Sequence, residues 1–134
     1  MINLYIFSNK SRGGLYGVGT YIRELITALR SKSNSIHIHV VHILCDQLQI
    51  EKKEVKDVSY WYFPEPISKE WNLLDQEQRK VYSRNIVYLL RNYIQDQKNL
   101  VFHLNSYRDK SLALELKIAF DCKVITVTHF SVWS

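Results

Sequence analysis

The sequence predicts an α/β fold, a mostly parallel sheet of about five strands flanked by helices. Three observations predict it. Short apolar runs alternate along the chain with stretches of helical periodicity. Those runs are almost uninterruptedly apolar, as in strands covered on both faces. All four glycines, Gly13, Gly14, Gly17 and Gly19, fall between the first such run and the first helical stretch, where a chain of this length would scatter about nine among its turns.

The elements follow in order. Ile2 to Ser8 (INLYIFS) reads as a buried strand ending in Ser-Asn-Lys. After the glycine segment, Tyr21, Ile22, Leu25, Ile26 and Leu29 recur at helical spacing, with Thr20 as the expected N-cap and Arg30 and Lys32 in the last turn. Ser35 to Leu44 is β-branched and continuous, a second strand; EKKEVKD reads as a solvated connection, and Val58 to Phe63 as a third strand before Pro64-Glu65-Pro66. From Ser68 to about Gln97 no glycine or proline occurs. Val81, Tyr82, Ile86, Leu89, Leu90, Tyr93 and Ile94 there trace one face of a helix with an interruption near Asp75. Asn99 to Asn105 is a fourth strand, Lys110 to Phe120 a short helix, and Lys123 to His129 a fifth strand.

The 134 residues fit one domain with a sizeable core, and 46% apolar with 23% charged residues is the balance of a globular protein. The longest apolar stretches are strand-sized and the N-terminus lacks the pattern of a signal peptide, so the expected setting is cytoplasmic. Cys45 and Cys122 lie far apart in apolar runs without metal-ligand spacing, and read as free thiols. Eighteen Lys and Arg against thirteen Asp and Glu give a net charge of +5 and a pI near 9.2, which favours phosphate-bearing ligands or anionic surfaces. The basic residues form no stripe with interleaved aromatics, so nucleic acid is not an expected partner. The sequence ends at Ser134, a few residues past the fifth strand, with no helix after it to cover that strand. The expectation is that residues 1–134 are one incomplete domain of a longer protein, the alternative being a second copy that covers the open edge or face.

A glycine-rich passage from a first strand into a first helix is where open parallel sheets hold phosphate, because backbone N–H groups and the helix dipole point at the anion. Two well-known motifs nearly fit. Gly14 to Thr20 has the glycine spacing and hydroxyl of a P-loop, but Thr20 stands where the phosphate-gripping lysine belongs, which argues against a nucleoside triphosphatase. Gly17 and Gly19 begin a dinucleotide fingerprint, but Ile22 replaces its third glycine. A mobile surface turn remains the plain alternative.

In a doubly wound sheet with strand order 3-2-1-4-5, the ends of strands four and five share one rim with the glycine segment. Asn105, Ser106 and Tyr107 leave strand four there; His129, Phe130 and Ser131 leave strand five; Lys10 and Arg12 flank the glycines. His129 is placed to bond a hydroxyl, take a proton or bind phosphate, or is simply bonded to backbone. His103, inside strand four, reads as a satisfied core histidine. His37 and His39 share a face of strand two without a third metal ligand, and His42 faces the other way. Trp61 and Trp71 read as packing residues, and Trp133 lies beside the rim.

The glycine segment GGLYGVGTYIRELITAL (13–29), VFHLNS (101–106) and KVITVTHF (123–130), in that order over nearly the whole chain, resemble the N-terminal, Rossmann-like domain of GT-B fold glycosyltransferases. The likeness is to the large retaining, nucleotide-sugar-dependent family often called family 4. It implies transfer of a glycosyl group from a nucleotide-sugar donor to an acceptor hydroxyl, without metal or other cofactor, in line with the lack of any DxD sequence. It also implies that Gly13, Gly14, Gly17, Val18 and Gly19 face the donor diphosphate, that His129 lines the reaction centre as the catalytic histidine, and that Asn105, Ser106 and Tyr107 lie on the acceptor side. Phe130 departs from the acidic residue many relatives carry after that histidine. The donor domain is absent from these residues, so the fragment alone is expected to be inactive. Resemblance to lipid-glycosylating relatives adds peripheral contact with the inner face of a membrane. The alternative function is a non-catalytic phosphate- or nucleotide-binding module; a third is an assembly module recruiting a partner through strand five.

Overall fold

The computed structural model of the chain describes residues 1–9, 17–32, 35–45, 48–64, 74–94, 98–105 and 110–127. In chain order the elements are β1 (Ile2–Asn9), α1 (Gly17–Lys32), β2 (Ile36–Cys45), β3 (Glu51–Val55), β4 (Val58–Pro64), α2 (Gln76–Tyr93), β5 (Leu100–Leu104), α3 (Lys110–Phe120) and β6 (Lys123–Thr126). The strands form one six-stranded sheet in the order β3-β4-β2-β1-β5-β6. All pairings are parallel except the antiparallel pair β3 and β4. Apart from β3, the strands are the five expected, in the expected doubly wound order.

β3 corrects the reading of EKKEVKD as a solvated connection. Its five residues are all exposed and mostly charged, so it carries no apolar alternation by which a strand is recognised. The turn into β4 is made by Lys56 and Asp57, whose φ angles are 49° and 67°. Two successive positive values are the mark of a type I′ hairpin, usually signalled by Asn-Gly. Here it is built without glycine. Val55 then pairs with Val58, and the ladder runs back to Glu51 opposite Tyr62.

Two helix starts also differ from expectation. α1 begins at Gly17, so Thr20 lies inside the helix rather than capping it, and its hydroxyl accepts from Arg23 Nη2 at 3.2 Å. α2 begins directly after Asp75, which is its N-cap. The Asp75 carboxylate accepts from the Gln78 N–H at 2.8 Å, and the Gln78 side chain accepts from the Asp75 N–H at 3.0 Å. This reciprocal capping box satisfies two donors that the first turn would leave open. α3 closes on Asp121, in a left-handed conformation (φ 47°), whose N–H donates to Lys117 O at 3.1 Å.

Alternation along the strands divides the core into two layers. Leu4, Ile6, Ile38, Val40 and Val58 point to one face, where Ile22 of α1 covers them. Phe7, Val41, Phe63 and Phe102 point to the other, against Leu90 of α2 and Leu116 of α3. Tyr82 of α2 donates its hydroxyl to Pro64 O at 2.7 Å and so fixes that helix over the end of β4. Cys45 is buried and Cys122 half-buried, and both are free thiols, as expected.

Because Asp57 holds a left-handed backbone that costs a residue with a Cβ energy, Asp57→Gly is expected to stabilise the fold by roughly 0.5–1 kcal/mol. Chemical denaturation checks it: the midpoint should rise with an unchanged slope.

Candidate functional site

The strand order reverses between β1 and β5. β1 leads through α1, on one face, to β2; β5 lies on the other side of β1 and is reached from β4 through α2, on the opposite face. Ligands of open α/β sheets sit in the crevice outside the carboxyl ends of strands at such a reversal.

Gly17, Val18 and Gly19 form the first turn of α1, following β1 over this rim. They are helical rather than part of a preceding loop. In a first turn the backbone N–H groups have no intrahelical acceptor, so they remain donors for an anion. No acidic residue occupies that turn, and Arg30 and Lys32 occupy the last, so within the helix itself no side-chain charge offsets the positive pole of its dipole at Gly17. One turn further on, Tyr21 stacks on His103 of β5 with ring centroids 6.1 Å apart, and its hydroxyl lies 3.5 Å from His103 Nε2. The contact holds the start of α1 over β1 and β5. His103 is buried there, as expected, but the expectation that it is satisfied holds only for Nε2, since no hydrogen bond to its buried Nδ1 is found among the described residues.

Asn105 directly follows β5 and is buried. Its Nδ2 donates to Phe7 O, near the end of β1, at 3.0 Å. The amide thus ties together the ends of the two strands that border the crevice. Gly13, Gly14, Ser106, Tyr107 and His129 lie outside the described residues, as do Lys10, Arg12, Phe130, Ser131, Trp71 and Trp133. Of the expected site, the structure brings the first turn of α1 and Asn105 to the same end of the sheet.

A polar cluster that the sequence did not assemble lies toward the opposite end of the strands, on the face covered by α2 and α3. Trp61 Nε1 donates to His39 Nδ1 at 3.3 Å. Since the indole N–H can only donate, His39 carries its proton on Nε2, which donates to Asn3 Oδ1 at 3.4 Å. Tyr5 stacks on His39 with centroids 4.1 Å apart and planes 8° from parallel. Burial, then the neighbouring His37 and Lys52, push the His39 pKa down to about 3, while burial pushes the Tyr5 phenol up to about 12. His37 donates from Nε2 to Ser59 Oγ at 3.2 Å, and Ser59 passes its own proton toward Glu54 Oε1 at 2.7 Å. That hydroxyl, with Lys52 beside it, holds the exposed Glu54 carboxyl below its usual range. Among the described residues no three His, Cys, Asp or Glu side chains group as metal ligands; His37 and His39 are engaged with Ser59, Asn3 and Trp61. The signal for this cluster was the shared parity of His37, His39, Ser59 and Trp61, but only the pairing of β2 with β4 makes them neighbours. Trp61 is buried packing, as expected.

The order of strands, the layering and the reversal beside β1 define the class: a Rossmann-like, doubly wound α/β domain. Among solved structures, one described as the apo structure of OtsA, a GT-B-fold protein, is similar over 96% of this chain, with a TM-score of 0.61 and 11% sequence identity. At that identity the likeness is one of fold, and it does not single out family 4. The chain spans about a third (33%) of the length of that structure. No protein-family model matches the sequence. No curated protein matches it either. Among the described residues, no helix is long and apolar enough to cross a membrane.

Two measurements test this geometry. Asn105→Ala leaves Phe7 O buried without its amide donor and is expected to cost about 1–3 kcal/mol by chemical denaturation. His39 titrates at about 6.5 when unfolded and about 3 when folded, so the unfolded chain binds the extra proton in that window. Stability should therefore fall as the pH falls from 6.5 toward 3, and His39→Gln should remove that part of the pH dependence in melting curves taken across the window.

Proposed function

We propose that this chain is the N-terminal, acceptor-side part of a glycosyltransferase that moves a sugar from a nucleotide-sugar to an acceptor hydroxyl. One observation carries the reading: in a GT-B-type fold, the first turn of α1 starts with Gly17-Val18-Gly19, without an acidic residue, over the strand reversal. The uncancelled N–H groups of that turn would face the donor's diphosphate. In the reaction the acceptor oxygen forms a bond to the anomeric carbon and the bond from that carbon to the diphosphate breaks. The diphosphate leaves with the electron pair, and its freed oxygen takes up the proton that the acceptor hydroxyl gives up. Negative charge grows on the leaving group, and oriented N–H donors stabilise it more in the transition state than in the ground state. Glycine at 17 and 19 leaves room for the phosphate oxygens where a Cβ would intrude.

His129 is proposed to line the reaction centre, and Asn105, Ser106 and Tyr107 the acceptor side, with Gly13 and Gly14 giving the segment before the helix its turn. No metal is needed, since the N–H groups and dipole do the work that a cation would do at the diphosphate. The donor half of the site belongs to a second domain, so these 134 residues alone are proposed to be inactive.

The first test is the native reading frame. Continuation into a second α/β domain supports the transferase, whereas a natural stop at Ser134 returns the segment to the reading of a non-catalytic phosphate-binding module. The second test is kinetic. In the protein with its donor half, Gly17→Val and Gly19→Val are each expected to reduce transfer by about a hundredfold or more, with circular dichroism and melting unchanged. Wild-type turnover by either variant overturns the mechanism.

A further inference from the structure

We propose that the outer face of α2 and α3 is where a second copy of this chain docks, helix layer against helix layer. The inference is independent of the transferase reading and involves neither margin of the sheet. On α2, Val81 and Tyr88 stand seven residues apart on one ridge and are 53% and 68% exposed; on α3, Leu114 and Ile118 stand four apart and are 57% and 70% exposed. These are large apolar side chains at positions where a solvated helix carries polar ones, and grouped exposed apolar residues mark a contact surface. The two ridges form one surface. Both helices run back antiparallel to the strands on one face of the sheet, and Arg84 of α2 donates from Nε to Glu115 Oε1 of α3 at 3.1 Å between them.

The charges around these tips decide what fits there. α2 carries Glu77 in its first turn and Arg91 in its last; α3 opens on Lys110 and is followed directly by Asp121. All four are exposed. Each helix therefore has opposite signs at its two ends, and the order is reversed from one helix to the other. Such a face is complementary to no surface of a single sign, but it is complementary to itself. A two-fold axis lying across the helices, level with the Arg84 and Glu115 pair, lays α2 antiparallel on its own copy and α3 antiparallel on its own. Val81 of one copy then meets Tyr88 of the other and Leu114 meets Ile118, while Glu77 meets Arg91 and Lys110 meets Asp121. Apolar falls on apolar, and each of these charges on its opposite. A parallel arrangement would set each of the four charges against itself. Helices of 18 and 11 residues offer a face of about 500 Å² per copy. The pair then buries about 1,000 Å², the small end for a specific interface, so the dimer is expected to form reversibly.

The test is sedimentation velocity of the whole chain over a concentration series, where monomer and dimer in reversible equilibrium are expected. Leu114→Ser with Ile118→Ser should raise the dissociation constant about tenfold or more. Glu77→Lys alone brings two cations together and Arg91→Glu alone two anions; each should raise it about tenfold, and both in one chain should return it to the wild-type value. Lys110→Glu and Asp121→Lys make the same cycle on α3, and that cycle decides if a variant of α2 fails to melt cooperatively. Arg30→Gln with Lys32→Gln, on α1 across the sheet, should leave the constant unchanged. A monomer at every concentration overturns the proposal. So does a dimer indifferent to the changes at Leu114 and Ile118, which would assign the contact to a margin of the sheet. A double charge exchange that restores nothing overturns it as well, since the antiparallel pairing would then be excluded.

Discussion

Every other part of this fold takes its position from β1, which is hydrogen-bonded along both edges and covered on both faces. It pairs with β2 from Ile2 to Asn9 and with β5 from Asn3 to Ile6. Ile6 and Phe7 are 0% and 1% exposed on opposite faces. A strand so placed has no water to satisfy its backbone, so each of its amides must be met by a neighbouring strand. Where the pairing with β5 ends, a side chain takes over: Asn105 reaches the Phe7 carbonyl. The rim at which α1 begins is therefore mounted on a rigid part of the molecule.

The sheet is stiffened differently at its other end. There His39 sits neutral between an indole donor and an amide acceptor, with the Tyr5 ring against its face. Protonation would set an N–H against the Trp61 N–H in a region sheltered from water, which is why the imidazole resists it. Three strands, β1, β2 and β4, are joined through these side chains as well as through their ladders. Such a network belongs to the scaffold, and its distance along the strands from the rim separates what holds the sheet together from what would meet a ligand.

Much of this was legible in the sequence because it rests on burial. Continuous apolar runs gave away five strands, and the alternation with helical stretches implied their order. The elements that escaped are those whose stability comes from elsewhere. β3 buries none of its residues and is held by its ladder and by a turn in which Lys56 and Asp57 do what glycine usually does. The start of α1 was placed four residues late, at Tyr21 after Thr20 as cap, because Thr20 has a capping side chain, whereas Gly17 has none and still begins the helix. Conversely, Asp75 looked like an interruption and is a cap, since the same carboxylate that breaks a helix within it secures one at its start. For the site, the glycines and Asn105 could be picked out by position, but what Asn105 bonds to depended on a strand 98 residues away in sequence.

β3 has a further consequence for how this sheet behaves among its own kind. A margin strand presents an unpaired row of backbone groups that can template a strand from another molecule, the first step toward fibrous aggregates. Here that margin is only five residues long and reads Glu-Lys-Lys-Glu-Val, every one of them in solvent. An incoming chain would have to strip water from alternating charges to gain a handful of amide bonds. By covering the apolar β4 with a short, heavily hydrated strand, the chain guards that border of its sheet against runaway growth, and a segment that adds nothing to the core still earns its place in the fold.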